Sequence, residues 1–157
     1  MHSSIESPSL SVGLGPDSLP MAPWPALRPF GRSLDFDSDE TRLFFFDSAR
    51  GVLSRRIILL IHGLGDEGDS FRHLFPLLAA DFRLLAVDLP GFGRSTAKGG
   101  TSVGLCVEAI AALLESEGIV EAIVVGSSLG ASIAQLLRQA LGQHLAAAKR
   151  SSGDGNH

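Results

Sequence analysis

The feature that most constrains this chain is Gly126-Ser127-Ser128-Leu129-Gly130, five residues between the apolar run Ala122-Ile123-Val124-Val125 and a helical pattern beginning near Ala131. A passage from strand to helix in so few residues forces the central serine into strained backbone angles, which lift its hydroxyl clear of the sheet. The residues two before and two after it then lie too close together to carry side chains, and both Gly126 and Gly130 are glycine. The backbone N–H of Leu129 opens the helix and points at any negative charge developing beside the hydroxyl. Ser128 is the candidate nucleophile.

Bulk properties narrow the classes. The chain has 157 residues, enough for one domain, and its apolar content of 45% supports a packed core. A formal net charge of −4 leaves no basic face to neutralise phosphates, so nucleic acid is not an expected partner. Cys106 is the only cysteine, which excludes a disulfide framework and a thiolate metal site and fits a reducing, cytoplasmic compartment. No apolar run approaches the ~18 residues of a membrane-spanning helix. The N-terminus lacks the basic and continuously apolar regions of a secretory signal.

In chain order, residues 1–32 are rich in Ser, Pro and Gly and read as a disordered leader outside the core. Leu34-Asp35-Phe36 and Arg42-Leu43-Phe44-Phe45-Phe46 predict an antiparallel hairpin at a sheet edge. Strand and helix then alternate. Arg56–Ile61 has the two-sided apolar character of a buried parallel strand. Phe71, Leu74, Phe75 and Leu78 predict a helix capped by Asp69 or Ser70. Phe82–Val87 is the next strand and ends in a turn-rich loop. Cys106, Ala109, Ile110 and Leu113 mark a second helix stopped near Gly118, and the strand 122–125 and a third helix through Leu141 follow. Such alternation predicts a three-layer α/β/α domain with a mostly parallel sheet, spanning residues 33–148. Residues 149–157 form a polar tail without a strand signal.

Three motifs, each at the carboxyl end of a predicted strand, together resemble the α/β-hydrolase superfamily: His62-Gly63-Leu64-Gly65, Asp88-Leu89-Pro90-Gly91-Phe92-Gly93-Arg94-Ser95, and Gly126-Ser127-Ser128-Leu129-Gly130. The resemblance covers roughly residues 42–145 and corresponds to the N-terminal half of that fold. It implies Ser128 as nucleophile and Leu64 as the first oxyanion-hole donor through its backbone N–H, beside Leu129. An alcohol at this position favours acyl transfer on an ester, thioester, lactone or amide over the carboxylate chemistry of dehalogenases and epoxide hydrolases of the same fold. A small-molecule acyl substrate is implied, and no cofactor or metal.

The departure from the family is equally specific. The superfamily orders its triad as nucleophile, acid, histidine, with the last two after later strands. Here only His144 and His157 follow Ser128, and Asp154 is the one later carboxylate. His144 lies about 24 Å along the third helix at 1.5 Å per residue. Asp154 and His157 belong to a Gly-rich tail, whereas a general base needs rigid placement within about 3 Å of its proton. No acid or base is identified, and the expectation is a truncated fold lacking its C-terminal strands. The strand 122–125 then becomes an unpaired apolar edge that calls for a protein partner.

Blander readings fit the remaining candidates. His62 is structural, because its loop acts through backbone N–H groups, and His73 is a surface residue. Cys106 is a buried, inert thiol on an apolar stripe. Asp88 caps its loop. Gly91-Phe92-Gly93 lacks the third glycine and the Gly-Lys-Ser/Thr of a phosphate cradle. The first reading is a serine hydrolase of α/β-hydrolase type. Its alternative is a catalytically inactive fragment or interaction product, and behind both stands a Rossmann-like nucleotide-binding module that shares the βαβ pattern.

Overall fold

The computed structural model describes residues 23–36, 40–49 and 56–153, with side chains as far as residue 142. The hairpin loop at 37–39, the leader at 1–22, the end of the tail at 154–157 and the His144 side chain lie outside this description.

Six strands form one mixed sheet in the order β1-β2-β4-β3-β6, with β5 also paired to β2. The strands are β1 (Gly31–Phe36), β2 (Thr41–Asp47), β3 (Arg56–Ile61), β4 (Phe82–Val87), β5 (Thr96–Ala97) and β6 (Ile123–Gly126). The hairpin β1–β2 is antiparallel, with Leu34 opposite Leu43, and sits at one edge as its sequence suggested. Both pairings of β3, with β4 and with β6, are parallel. Strand β6 occupies residues 123–126, one residue later than the apolar run alone suggested.

Three layers follow from the two-sided apolar strands. On one face, Leu59, Ile61, Leu85 and Val87 pack with Cys106, Ala109, Ile110 and Leu113 of α2 (Val103–Ser116) and Ile133 and Leu137 of α3 (Leu129–Gly153). On the other face, Ile58, Leu60, Leu84 and Ala86 pack with Phe44, Phe46, Leu27 and Phe75. Helix α2 stops near Gly118 as expected, with Gly118 at φ 64° just beyond the end, and at its start the Ser102 hydroxyl accepts from the Leu105 amide at 3.1 Å. Helix α3 continues through Gly153, so the backbone at residues 149–153, read as polar tail, is helical.

Two other expectations change. The helix over Phe71–Leu78 is instead a 3₁₀ segment, Gly68–Phe71, followed by one α turn, α1 (Phe75–Leu78). Pro76 stands in the first turn of α1, where its missing donor is tolerated; inside a helix begun further upstream it would break the ladder of hydrogen bonds, and the α turn starts only at Phe75. Neither Asp69 nor Ser70 caps that segment, and Asp69 is buried. In the Pro-rich approach read as leader, Pro25–Phe30 form a 3₁₀ segment whose Leu27 is buried against the sheet.

At the amino ends of the parallel strands lies an ion cluster. The buried Arg83 guanidinium donates to Asp47 at 3.0 and 2.8 Å and to Glu117 at 2.5 Å, and Arg32 donates to Asp47 at 2.7 Å. Burial pushes the Asp47 carboxyl up, but the hydrogen bonds from Arg83, Arg32 and the Ala49 amide outweigh it and hold the group below its ordinary 3.8. Glu117 is held below 4.5 in the same way. The cluster ties β1, β2, β4 and the end of α2 together, leaving the carboxyl ends of β3, β4 and β6 to carry the site.

Candidate active site

Ser128 has φ 52° and is the one non-glycine residue with positive φ among the described residues. The chain leaves the sheet abruptly there. The Ser127 amide still donates to Ile61 O at 3.0 Å, while the Gly130 amide donates to Ser127 O at 2.8 Å and the Ala131 amide to Ser128 O at 2.9 Å. Ser128 is exposed. Both flanking glycines are sterically required. A Cβ on Gly126 would lie 2.3 Å from the Gly130 backbone, and a Cβ on Gly130 would lie 2.2 Å from Ile61 O and 2.6 Å from His62 O. Backbone strain at a non-glycine residue costs of order 1–3 kcal/mol, so it persists only where the surroundings over-determine it. Here β3 and the first turn of α3 do so.

The loop after β3 comes up beside this turn. A Cβ on Gly63 would lie 3.4 Å from both Ser127 O and the Ser128 Cβ. Gly63 O accepts from the Asp66 amide at 3.3 Å, closing a turn in which Gly65 takes φ 73°. Among the described residues neither the Leu64 nor the Leu129 amide donates to a backbone carbonyl. His62 beneath them is fully buried. Its Nε2 accepts from the Leu89 amide at 2.9 Å, and its Nδ1 lies 2.7 Å from Gly63 O.

A second ion cluster anchors the loops after β3 and β4 to each other. The buried Asp88 carboxylate accepts from the Gly68 amide at 2.7 Å, the Arg94 amide at 2.8 Å and the Arg94 guanidinium at 2.8 and 3.1 Å. Its capping role is thus realised, across two loops. The Arg94 guanidinium lies 4.8 and 4.9 Å from the ring centroids of Phe44 and Phe46 and also pairs with Asp69. Burial alone would lower its pKa, but the hydrogen bonds and charge of Asp88 and Asp69 prevail and raise it. Asp69 further accepts from the Trp24 amide at 2.6 Å, and Arg72 sits 4.9 Å from the Trp24 ring. The nearby Glu67 carboxyl is pushed above 4.5 by burial, against the charge of Arg94. Arg94 and Asp69 were not singled out as partners from sequence, where the only signal was the Gly-Arg-Ser ending of the second motif.

No described side chain is placed to take the Ser128 proton. His62 has both ring nitrogens engaged, and His73 is exposed on the turn after the 3₁₀ segment. The side chain of His144, and all of Asp154 and His157, lie outside the described residues. Among those described, no group of His, Cys, Asp and Glu forms a metal-binding cluster, and no helix is long and apolar enough to cross a membrane. Cys106 is buried and its thiol is pushed up by desolvation, with only a long contact to the Thr101 hydroxyl at 3.7 Å.

The model of the α/β hydrolase fold family matches residues 56–147, more than half of the sequence, and the chain belongs to this family. It is 40% identical over 80 residues to the magnesium-chelatase 30 kDa subunit of Rhodobacter capsulatus, covering 50% of this chain and 28% of that protein. It is 38% identical over 79 residues to a pimeloyl-[acyl-carrier protein] methyl ester esterase of Sodalis glossinidius, covering 50% and 29%. A solved α/β hydrolase from Novosphingobium aromaticivorans superposes with a TM-score of 0.63 at 31% identity, over 70% of this chain and 39% of that one. The chain thus spans less than a third of those two curated relatives and about two-fifths of that solved structure.

Proposed function

We propose that this chain carries the nucleophile and oxyanion-binding part of a serine hydrolase acting on an ester, thioester or related acyl bond of a small molecule. The observation that carries the reading is Ser128 itself: an exposed serine at φ 52° on a turn where glycine is sterically required on both sides. In this reading the Ser128 hydroxyl attacks the substrate carbonyl carbon. The carbonyl oxygen takes up the negative charge and receives hydrogen bonds from the Leu64 and Leu129 amides. Collapse of that intermediate expels the alcohol or thiol and leaves an acyl group on Ser128, which water removes. The hydroxyl proton needs a base, and no described side chain supplies one. The methyl ester esterase among the relatives agrees with an acyl substrate.

A fluorophosphonate probe with peptide mapping tests this. Modification at Ser128, absent at the adjacent Ser127 and lost in Ser128→Ala, supports the reading. A folded protein whose Ser128 remains unmodified even with added imidazole, or that is modified evenly across its serines, overturns it.

One observation favours a second reading, in which the chain acts through a protein partner. Among the described residues β6 pairs on one side only, with β3, and its Ile123 and Val125 side chains are exposed by 45% and 43%. Light scattering that finds a concentration-independent monomer would remove that reading.

A further inference from the structure

We infer that His62, buried and remote from any proton-transfer role, is a positioning residue that aims the Leu64 amide. The inference rests on the reading of Leu64 as an oxyanion donor given above. Its basis is the ring's two hydrogen bonds. A peptide N–H can only donate, so the Leu89 amide at 2.9 Å requires an unprotonated Nε2. The ring proton of the neutral imidazole is then on Nδ1, which donates to Gly63 O at 2.7 Å. The peptide that joins Gly63 to Leu64 is planar and trans, so its C=O and N–H point in opposite directions. Holding Gly63 O against the ring of His62 therefore turns the Leu64 N–H the other way. The Asp66 amide at 3.3 Å pulls on the same oxygen and acts in the same sense.

Among the described residues, the bond from His62 is the shorter of the two that hold this peptide plane. Leu64 is 74% exposed, so its side chain is not held by packing, and Gly63 and Gly65 offer little torsional resistance. Burial of His62, with its ring edge-on to Phe92 at 5.8 Å, keeps water from competing for either nitrogen. The second bond has a separate task. Through Leu89 it ties the loop after β3 to the loop after β4, alongside the Asp88–Gly68 bond.

The two bonds are separable by substitution. Asparagine at 62 places an amide N–H where Nδ1 stands, whereas glutamine reaches the position of Nε2 as an acceptor. In His62→Asn, fluorophosphonate modification of Ser128 is expected at a rate close to that of the parent chain, despite loss of the Leu89 link. In His62→Gln, the maximal rate is expected to fall about 100-fold, the scale of losing one oxyanion donor, with the probe's half-saturating concentration unchanged. Each observed rate is divided by the folded fraction measured by circular dichroism, which removes the contribution of simple destabilisation. Parent-like modification in His62→Gln together with slow modification in His62→Asn would overturn the inference.

Nitrogen NMR of the histidine ring gives a readout that does not depend on Ser128. A pyrrole-like Nδ1 and a pyridine-like Nε2, with the Leu64 amide resonance displaced in His62→Gln but not in His62→Asn, is the expected result. The opposite tautomer, or an undisturbed Leu64 amide in His62→Gln, overturns the inference. If Ser128 is unreactive in the parent while these signatures hold, the functional reading fails and the positioning of Leu64 stands.

Discussion

Replacing Gly130 by alanine adds one methyl group to the second residue of α3, where helix propensity alone would favour alanine by about 1 kcal/mol. The site reverses that sign. The new Cβ would lie 2.2 Å from Ile61 O, 2.6 Å from His62 O and 2.8 Å from Ile61 C, all backbone atoms at the end of β3 with no rotamer to give way. Restoring ordinary contact requires the helix start and the strand end to separate by about 1 Å, an overpacking cost of roughly 3 kcal/mol. Against a typical domain stability of 5–15 kcal/mol this is a change of about 150-fold in the folding equilibrium. Gly142 is the internal control, because it lies in the same helix and a Cβ there meets nothing within 4 Å. Urea unfolding followed by circular dichroism should therefore find Gly130→Ala destabilised by about 3 kcal/mol and Gly142→Ala stabilised by up to about 1 kcal/mol. Equal midpoints for the two variants would refute the close contact between α3 and β3 on which the geometry of Ser128 depends.

Acid should dismantle the other end of the sheet first. Asp47 and Glu117 are depressed below 3.8 and 4.5, so the folded state binds fewer protons than the unfolded one. Their contribution is present above those values and is lost as pH falls through the lower folded ones. Asp47→Asn should cost about 3–5 kcal/mol at neutral pH by leaving Arg83 short of its main partner, and the fall of the melting temperature on acidification below pH 3.8 should be smaller in the variant than in the parent chain. Arg94→Lys keeps the charge but cannot form the fork to Asp88 between Phe44 and Phe46, and a loss of about 2–3 kcal/mol in urea titrations is expected. Because no described side chain takes the Ser128 proton, free imidazole should accelerate fluorophosphonate modification of Ser128, recovering part of the ~10²–10⁴ that a held base supplies. A rate indifferent to imidazole would mean that a base is already in place.

The sequence made legible what local chemistry decides. Two-sided apolar runs marked β3 and β4, the runs Leu34–Phe36 and Arg42–Phe46 marked the edge hairpin, and the spacing of Gly126 and Gly130 about Ser128 carried its own steric reason. What escaped was set by distance along the chain. Arg83 and Asp47 are separated by 36 residues, and nothing near either one says that the guanidinium of a strand residue is buried against a carboxylate from another strand. Asp69 has a side chain suited to a helix cap, but with Pro76 in its first turn the α segment starts only at Phe75, and the Asp69 carboxylate turns to Arg94 and the Trp24 amide. The docking of Leu27 was likewise hidden, because the prolines around it remove periodicity without preventing burial of a single side chain.

The most direct test of the account is to follow the backbone amides by NMR while Ser128 is converted to its phosphonate adduct, whose oxygen stands in for the tetrahedral oxyanion. The account predicts that the Leu64 and Leu129 amide protons move most strongly downfield, with neighbours such as Asp66 and Ser132 changing little. An adduct on Ser128 that leaves both amides in place, or moves a different pair, would contradict it.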